Sequence, residues 1–307
     1  MDPIKKILVG LDMSEMDNTL IKFISFVTKS SPATDIYFIN IVNSTSEGLF
    51  LSPDSKKIDK KAVETHRQKL QDEVDNALNA TGKVTVHLIV RLGSKAKEIL
   101  KFIESEKIDI MVTGHKKHSK GSGVLNQRLA RRAPCYLIII PEGHMPELTK
   151  LLLPIDFSEY SKQALEYAVY ISRSNQDQIE LVCLNIYQVP TGYHYSGKTY
   201  EEFAEIMKEN ADKEFTSWIS RVETQGIKIT PVFVLDRHDN FGQVVRKEVE
   251  DRQVSGVIIG AKGRSATSAI FIGSTAEKLV TAIDYLPLTI VRPIGKTSGV
   301  LESLADL

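Results

Sequence analysis

The chain of 307 residues contains the same succession of apolar segments twice. The segment "ILVGLDMSE" at residues 7–15 returns as "LLLPIDFSE" at residues 151–159. Four more pairs follow in the same order: "FINIV" with "CLNIY", "VTVHLIV" with "ITPVFVL", "IDIMVTG" with "VSGVIIG", and "PCYLIIIP" with "PLTIVRP". Five matches in one order predict a tandem duplication. We expect one domain over residues 1–146 and a second over residues 147–307.

Within each repeat, short apolar runs alternate with longer amphipathic patterns. Residues 18–30 and 162–174 carry apolar side chains at intervals of three and four, as amphipathic helices do. The short runs lack strict alternation, which is typical of strands covered on both faces. The sequence therefore predicts an α/β protein with two tandem, doubly wound, parallel five-stranded sheets of the Rossmann-like kind.

The composition limits the classes of function. The 39 basic and 39 acidic side chains balance, which argues against a non-specific DNA or RNA binder. The two cysteines, Cys135 and Cys183, are too few for a disulfide scaffold and fit a reducing compartment. Since the first residues lack the apolar core of a signal peptide and no run approaches the length of a membrane span, we expect a cytoplasmic protein without a membrane partner.

The loops after the first and fourth strands are where a doubly wound sheet binds its ligands, at the switch point beside strand one. In the second repeat, Asp156 follows strand one, and the glycine-containing segment at residues 260–280 follows strand four. Glycine tolerates positive φ and lets a ligand approach backbone amides, and a helix start offers unpaired N–H groups to an anion. The candidate anion-binding residues of this segment are Gly260, Lys262, Gly263, Arg264, Gly273, Ser274 and Thr275.

The pattern Gly-x2-Gly-x9-Gly-Ser after strand four, with an aspartate after strand one, resembles the ATP-binding branch of the universal stress protein family. The resemblance covers nearly the whole chain, as two family domains in tandem with an adenine-nucleotide-hydrolase-like fold. It implies an ATP-binding regulatory protein of the stress response, with Mg²⁺ as an optional companion of the phosphates. Adenine would contact Asp156 beside Pro154 and Ile155, and Ile186 would line its pocket. The glycines with Ser274 and Thr275 would hold ribose and phosphates.

Structural and enzymatic alternatives stay open for the same residues. Ser274 and Glu277 have the spacing of a helix capping box, and Asp156 with Ser158 has that of a helix N-cap. Gly260 and Gly263 also suit ordinary turns. A slow ATP hydrolase or nucleotidyl transferase on this fold would use Asp156 or the loop at residues 235–240. The sequence offers no evident general base or arginine finger, so a binding module is the prediction.

The first repeat departs from the motif. Gly114 matches Gly260, but Lys117 stands where Gly263 would be. Counting back from Pro134 puts Gly123 at the third glycine, with Val124 in place of the serine. We therefore expect no ATP site in this half. The alternative is that a cluster of lysines binds another anion, and its members are Lys116, Lys117 and Lys120.

Two further expectations concern metals and partners. His115 and His118 are spaced for a metal, but no second ligand pair lies near, so loop histidines and no metal site are predicted. The family resemblance implies pairing through last strands, here residues 136–141 and 288–293. Such pairing within one chain would give a pseudo-dimer and protect two sheet edges. A homodimer and an unidentified protein partner are the remaining possibilities.

Overall fold

The computed structural model describes residues 3–42, 60–77, 84–117, 122–174, 179–263 and 272–293. Its internal contacts divide these residues into two compact units. One unit contains the described residues up to Pro146, and the other contains those from Glu147 to Arg292.

The first unit is a parallel sheet with helical crossovers. Its strands are β1 (Lys6–Leu11), β2 (Asp35–Val42), β3 (Thr85–Leu92), β4 (Ile110–His115) and β5 (Tyr136–Pro141). Its helices are α1 (Glu15–Thr28), α2 (Lys60–Ala77), α3 (Lys95–Glu106) and α4 (Ser122–Arg132). The strand order is β3-β2-β1-β4-β5, and each neighbouring pair is parallel.

The second unit repeats this plan. Its strands are β6 (Lys150–Ile155), β7 (Glu180–Tyr187), β8 (Ile229–Leu235), β9 (Gly256–Gly260) and β10 (Leu288–Val291). Its helices are α5 (Glu159–Ser174), α6 (Tyr200–Ile219), α7 (Phe241–Arg252) and α8 (Ser274–Ala282). The order β8-β7-β6-β9-β10 and the parallel pairing confirm the predicted fold class. Pairing of the last strands of the two units stays a prediction.

The central strands are buried on both faces, which explains why their sequences read as continuous apolar runs. Every residue of Ile36–Val42 in β2 is buried, as is every residue of β9. Pro231 lies instead in β8, the outer strand, and is exposed there. An outer strand tolerates proline because the missing N–H leaves no ladder partner unpaired.

A buried asparagine fixes the carboxyl end of the first strand in each unit. The Asn40 side-chain amide in β2 donates to the Leu11 carbonyl oxygen at 3.0 Å. The Asn185 side-chain amide in β7 donates to the Ile155 carbonyl oxygen, also at 3.0 Å. Each bond joins two neighbouring strands where their ladder ends. It therefore fixes the backbone position of the residue directly before the aspartate.

Close packing explains the first glycine of the fourth strands. A Cβ atom on Gly260 would lie 2.6 Å from the backbone oxygen of Tyr160 in the first turn of α5. A Cβ atom on Gly114 would instead meet side-chain atoms of Met16, the nearest being Cγ at 2.5 Å. The second unit thus needs glycine here because backbone meets backbone, whereas the first unit meets a flexible side chain.

We expect Asn185→Leu to lower the free energy of unfolding by about 1–3 kcal/mol, because the buried Ile155 carbonyl loses its donor. The matched control is Asn210→Leu on the exposed face of α6, which should change the same quantity by less than about 0.5 kcal/mol. Urea denaturation followed by circular dichroism measures both. Equal effects of the two substitutions would contradict the bridging role.

We expect Gly260→Ala to lower the free energy of unfolding by about 1–3 kcal/mol, because the added methyl group overpacks against the Tyr160 carbonyl. Gly123 lies in α4, and a Cβ atom there would have no described atom from outside its own helix within 4 Å. Gly123→Ala should therefore raise that free energy by about 0.5–1 kcal/mol through helix propensity. Thermal and urea melts of the two variants should shift in opposite directions, and shifts of the same sign would refute the packing argument.

Candidate functional site

The candidate site of the second unit begins at the turn between β6 and α5. One oxygen of Asp156, Oδ1, accepts the Ser158 amide at 3.1 Å and the Ser161 hydroxyl at 2.7 Å. Ser161 Oγ in turn accepts the Asp156 amide at 3.1 Å. The Ser158 hydroxyl accepts the Ser161 amide at 3.2 Å, so Ser158 caps α5. Half of the Asp156 carboxylate therefore holds the turn, as the capping alternative predicted.

The other oxygen of Asp156 faces the glycine loop that follows β9. A Cβ atom on Gly263 would lie 2.6 Å from Asp156 Oδ2, which is closer than real contacts allow. Among the described residues, the glycines with positive φ do not include Gly260, Gly263 or Gly273. These three positions therefore need glycine because it has no side chain and permits close approach, and not because it adopts a left-handed backbone.

Both ends of the glycine loop meet beside the sheet. The Ala261 amide donates to the Val291 carbonyl at 2.7 Å, and the Gly273 amide donates to the Ala261 carbonyl at 2.7 Å. A Cβ atom on Gly273 would lie 3.3 Å from the Lys262 Cα atom. The second and third glycines of the motif are thus brought to one place. Arg264, predicted to add charge here, lies outside the described residues.

Helix α8 begins with exposed hydroxyl side chains. Gly273 is its N-cap and has no side chain to accept the first amides, and Glu277 N–H donates to the Gly273 carbonyl at 3.0 Å. Ser274 and Thr275 form the first turn and are exposed. The capping-box alternative for Ser274 is therefore wrong, since Ser274 is the first residue inside the helix. The amides of this turn have no side-chain acceptor at the N-cap, as an anion site requires.

Lys262 is a buried cation that has no hydrogen-bond partner among the described residues. The residue is 7% exposed. Its Nζ atom forms no hydrogen bond within the part of the chain that the structure describes. Burial, and then the positive charge of Arg292, lower the pKa of Lys262 below its ordinary value. Arg292 follows β10 and is itself buried. Two cations share this end of the sheet, and an anion would complement them.

Apolar residues complete the site on the side of β7. Pro154 and Ile155 are buried residues of β6, and Ile155 pairs with Asn185. Ile186, expected just after strand two, is the penultimate residue of β7 and is partly exposed. Sequence reasoning missed Asn185 and Ser161. The asparagine shared by "FINIV" and "CLNIY" could have indicated the first, and the serine spacing in "DFSEYS" the second.

In the first unit the aspartate after the first strand pairs with an ammonium group. Lys116 follows Gly114 by two residues, as Lys262 follows Gly260, and its Nζ atom lies 2.5 Å from Asp12 Oδ2. The Ser14 hydroxyl donates to Asp12 Oδ1 at 2.6 Å. Burial raises the pKa of Asp12, but the hydrogen bonds from Lys116 and Ser14 outweigh it and leave that pKa lowered. Lys117 is exposed, and its amide donates to Glu142 Oε2 at 3.4 Å.

The alignment of Gly123 with Gly273 agrees with the packing of the two helices. When these glycines are paired, the buried residues in or directly after α4, Asn126, Leu129 and Ala133, match those in or directly after α8, Ala276, Leu279 and Ile283. Val124 therefore stands at the position of Ser274. The start of the helix differs, since α4 begins at Ser122, before the glycine, and α8 begins at Ser274, after it. Residues 116–121 separate β4 from α4, whereas residues 261–273 separate β9 from α8. Gly121, with His118 and Lys120, lies outside the described residues.

Across the described ranges, no three side chains of histidine, cysteine, aspartate or glutamate form a group that could hold a metal ion. None of the helices in those ranges has the length and hydropathy needed to cross a bilayer.

Comparison with known proteins adds independent evidence. The chain is 22% identical to the universal stress protein YxiE of Bacillus subtilis strain 168 over 149 residues, or 47% of this chain and 98% of the relative. A universal stress protein from Archaeoglobus fulgidus DSM 4304 has a structure that matches with a TM-score of 0.63 at 15% identity, covering 96% of this chain and 98% of the other.

A second solved structure has the same fold over its full length. It is a protein of unknown function from Pseudomonas aeruginosa PAO1, with a TM-score of 0.64, 12% identity, and coverage of 99% of this chain and 98% of that one. At the level of sequence, the model of the universal stress protein family matches residues 3–141 and again residues 147–292. Two full family matches on two units of the same strand order make the chain a tandem, two-domain member of the universal stress protein family.

Proposed function

We propose that the second unit binds ATP at the carboxyl ends of β6 and β9, and that the protein acts as a nucleotide-responsive regulator. Family membership supports a role in the stress response. The observation that carries the proposal is Lys262, a buried ammonium group without a partner among the described residues, next to Arg292 and the glycine loop. Leaving such a charge unpaired is costly unless a ligand supplies the counter-charge.

The roles of the residues follow from their positions. Ser274, Thr275 and the first amides of α8 are open to phosphate oxygens, and Lys262 supplies positive charge below them. Ile155 and Ile186 offer apolar surface to adenine, and Asp156 is the acceptor for its amino group. Mg²⁺ would be carried on the phosphates, since the described residues provide no cluster of carboxylates for it.

A regulatory mechanism suits this arrangement better than rapid chemistry. The glycine loop is tied at both ends, at Ala261 and Gly273, and the residues proposed to contact phosphate lie on those ends. Nucleotide binding would therefore act directly on the loop and on the surface it presents to a partner. The predicted homodimer and protein partner belong to this proposal.

The hydrolase or transferase alternative needs a carboxylate that can take a proton. Asp156 Oδ1 is engaged in the α5 turn. Asp236, in the loop at residues 235–240, is buried and accepts the His238 amide at 3.0 Å and the Gln188 side chain at 3.4 Å. Steady ATP turnover that is lost in Asp156→Ala would favour this alternative over a binding module.

We expect calorimetric titration of ATP into nucleotide-free protein to give one site per chain. Gly263→Ala should weaken ATP binding at least about tenfold, because the new methyl group displaces the Asp156 carboxylate. Gly273→Val should abolish binding, since even a methyl group is crowded there. The matched control is Gly123→Ala in α4, which should bind ATP as the parent does. Two sites per chain, or no binding, would overturn the proposal.

Lys262→Met separates a binding role from a structural one. We expect the variant to lose about tenfold in ATP affinity, because an ion-assisted hydrogen bond to phosphate is removed. In the absence of nucleotide, the free energy of unfolding of the variant should be about 1 kcal/mol higher than that of the parent. The reason is that an apolar side chain replaces a buried charge without a partner among the described residues. Titration calorimetry and urea denaturation give the two quantities. A variant that is less stable and binds ATP normally would show that Lys262 is structural.

A further inference from the structure

The first unit contains a cavity of its own at the equivalent edge of the sheet. It has a volume of about 180 Å³ and lies at the carboxyl ends of β1 and β4. Its floor is formed by Gly10, Ile39 and Ile41 on the sheet, and its walls include Ile99 of α3 and Leu125 of α4. The interior of the cavity is therefore apolar.

The mouth of the cavity is charged. Asp12, Lys95 and Lys116 line it, and the ion pair between Lys116 and Asp12 neutralises two of these charges. Lys95, the first residue of α3, is exposed and makes no hydrogen bond or ion pair with the described residues. Asp17 does not line the cavity, and its carboxylate accepts the amides of Asp12 at 3.0 Å and Met13 at 2.7 Å.

One unbalanced positive charge therefore faces the opening, and a second feature lies beside it. Ser94, the N-cap of α3, makes no side-chain hydrogen bond to the first amides of that helix. The positive end of α3 favours negative charge near Lys95. The carboxylate of Glu98, in the first turn of this helix, supplies part of that charge and is itself paired with Arg91 and Lys101. The mouth is thus suited to a single negative charge.

The size of the cavity restricts what can enter. An apolar cavity of about 150 Å³ holds a benzene ring, whereas pockets for larger ligands have volumes of about 300–1,000 Å³. A volume of about 180 Å³ accommodates one ring with a small substituent. A nucleoside triphosphate exceeds it. In addition, Asp12 Oδ2 is engaged by the Lys116 ammonium group, whereas Asp156 Oδ2 in the second unit faces Gly263.

We propose that the first unit is a second, independent binding site, which takes a single-ring ligand bearing one anionic group, with the ring among Ile39, Ile41 and Leu125 and the anion at Lys95. The anionic group is a carboxylate or a phosphate monoester, and both have the same chemistry at this mouth. The site does not depend on nucleotide binding by the second unit, because its lining comes from the first unit alone.

The test uses the full chain and three small probes of matched shape. Benzoate carries a carboxylate, phenyl phosphate carries a phosphate monoester, and benzamide is the neutral analogue of benzoate. Saturable binding is followed by ligand-observed NMR and by titration calorimetry. We expect at least one of the two anions to bind at least about tenfold more tightly than benzamide, because a charge-assisted hydrogen bond is added. The anion that binds more tightly shows whether the natural ligand carries a carboxylate or a phosphate monoester.

Two variants and one control locate the site. Lys95→Gln, on an exposed position, should bring the affinity of the anions down to that of benzamide while leaving benzamide binding unchanged. Leu125→Trp should fill the cavity and abolish binding of all three probes. Gly273→Val, in the second unit, should leave probe binding unchanged, so that failure of ATP binding and failure of this site are separate results.

Three results would overturn the proposal. The first is the absence of saturable binding by either anion. The second is equal affinity of the parent protein for benzoate, phenyl phosphate and benzamide. The third is unchanged anion affinity in Lys95→Gln, a result that remains decisive even where Leu125→Trp fails to fold.

Discussion

The carboxyl end of the first strand in each unit is the fixed point on which the rest of the site depends. A buried asparagine from the neighbouring strand donates to the last carbonyl of that strand, in the same way at Leu11 and at Ile155. The residue after the aspartate then takes a left-handed backbone conformation, with φ of 61° at Met13 and 64° at Phe157. These constraints place an aspartate at the switch point of both sheets, although the loops after the fourth strands differ in length and sequence.

From this common frame the two units diverge through the loop after the fourth strand. In the second unit Gly263 lets backbone approach Asp156, and Lys262 is left buried beside Arg292. In the first unit the matching lysine, Lys116, reaches Asp12 and neutralises it. The same residue type at the same position is therefore a buried cation without a partner among the described residues in one copy, and half of an ion pair in the other. That difference underlies the proposal of two sites with different ligands.

The fold could be predicted from the sequence because duplication and apolar runs are global signals that no single residue decides. The site could be predicted only in part. The glycine spacing and Asp156 indicated two loops that the structure brings together, but the proposed role of Lys262 depends on its burial and on the nearby charge of Arg292, a residue distant in sequence. The sequence paired Gly123 with Gly273 but did not indicate that Gly123 lies inside a helix while Gly273 caps one, because the point where a loop ends leaves no periodic trace. The Lys116–Asp12 pair likewise depends on tertiary contact.

The packing of Gly260 and Gly114 has a consequence for how the two copies can change over time. At position 260 a side chain would strike the peptide backbone of Tyr160, so nearly every substitution is penalised. At position 114 it would strike the buried side chain of Met16, an unbranched chain that yields more readily than backbone. Mutational tolerance is therefore unequal between two loops of common origin. The first copy is the one in which new loop sequences, and with them new specificities, are sampled at the smaller cost to the fold.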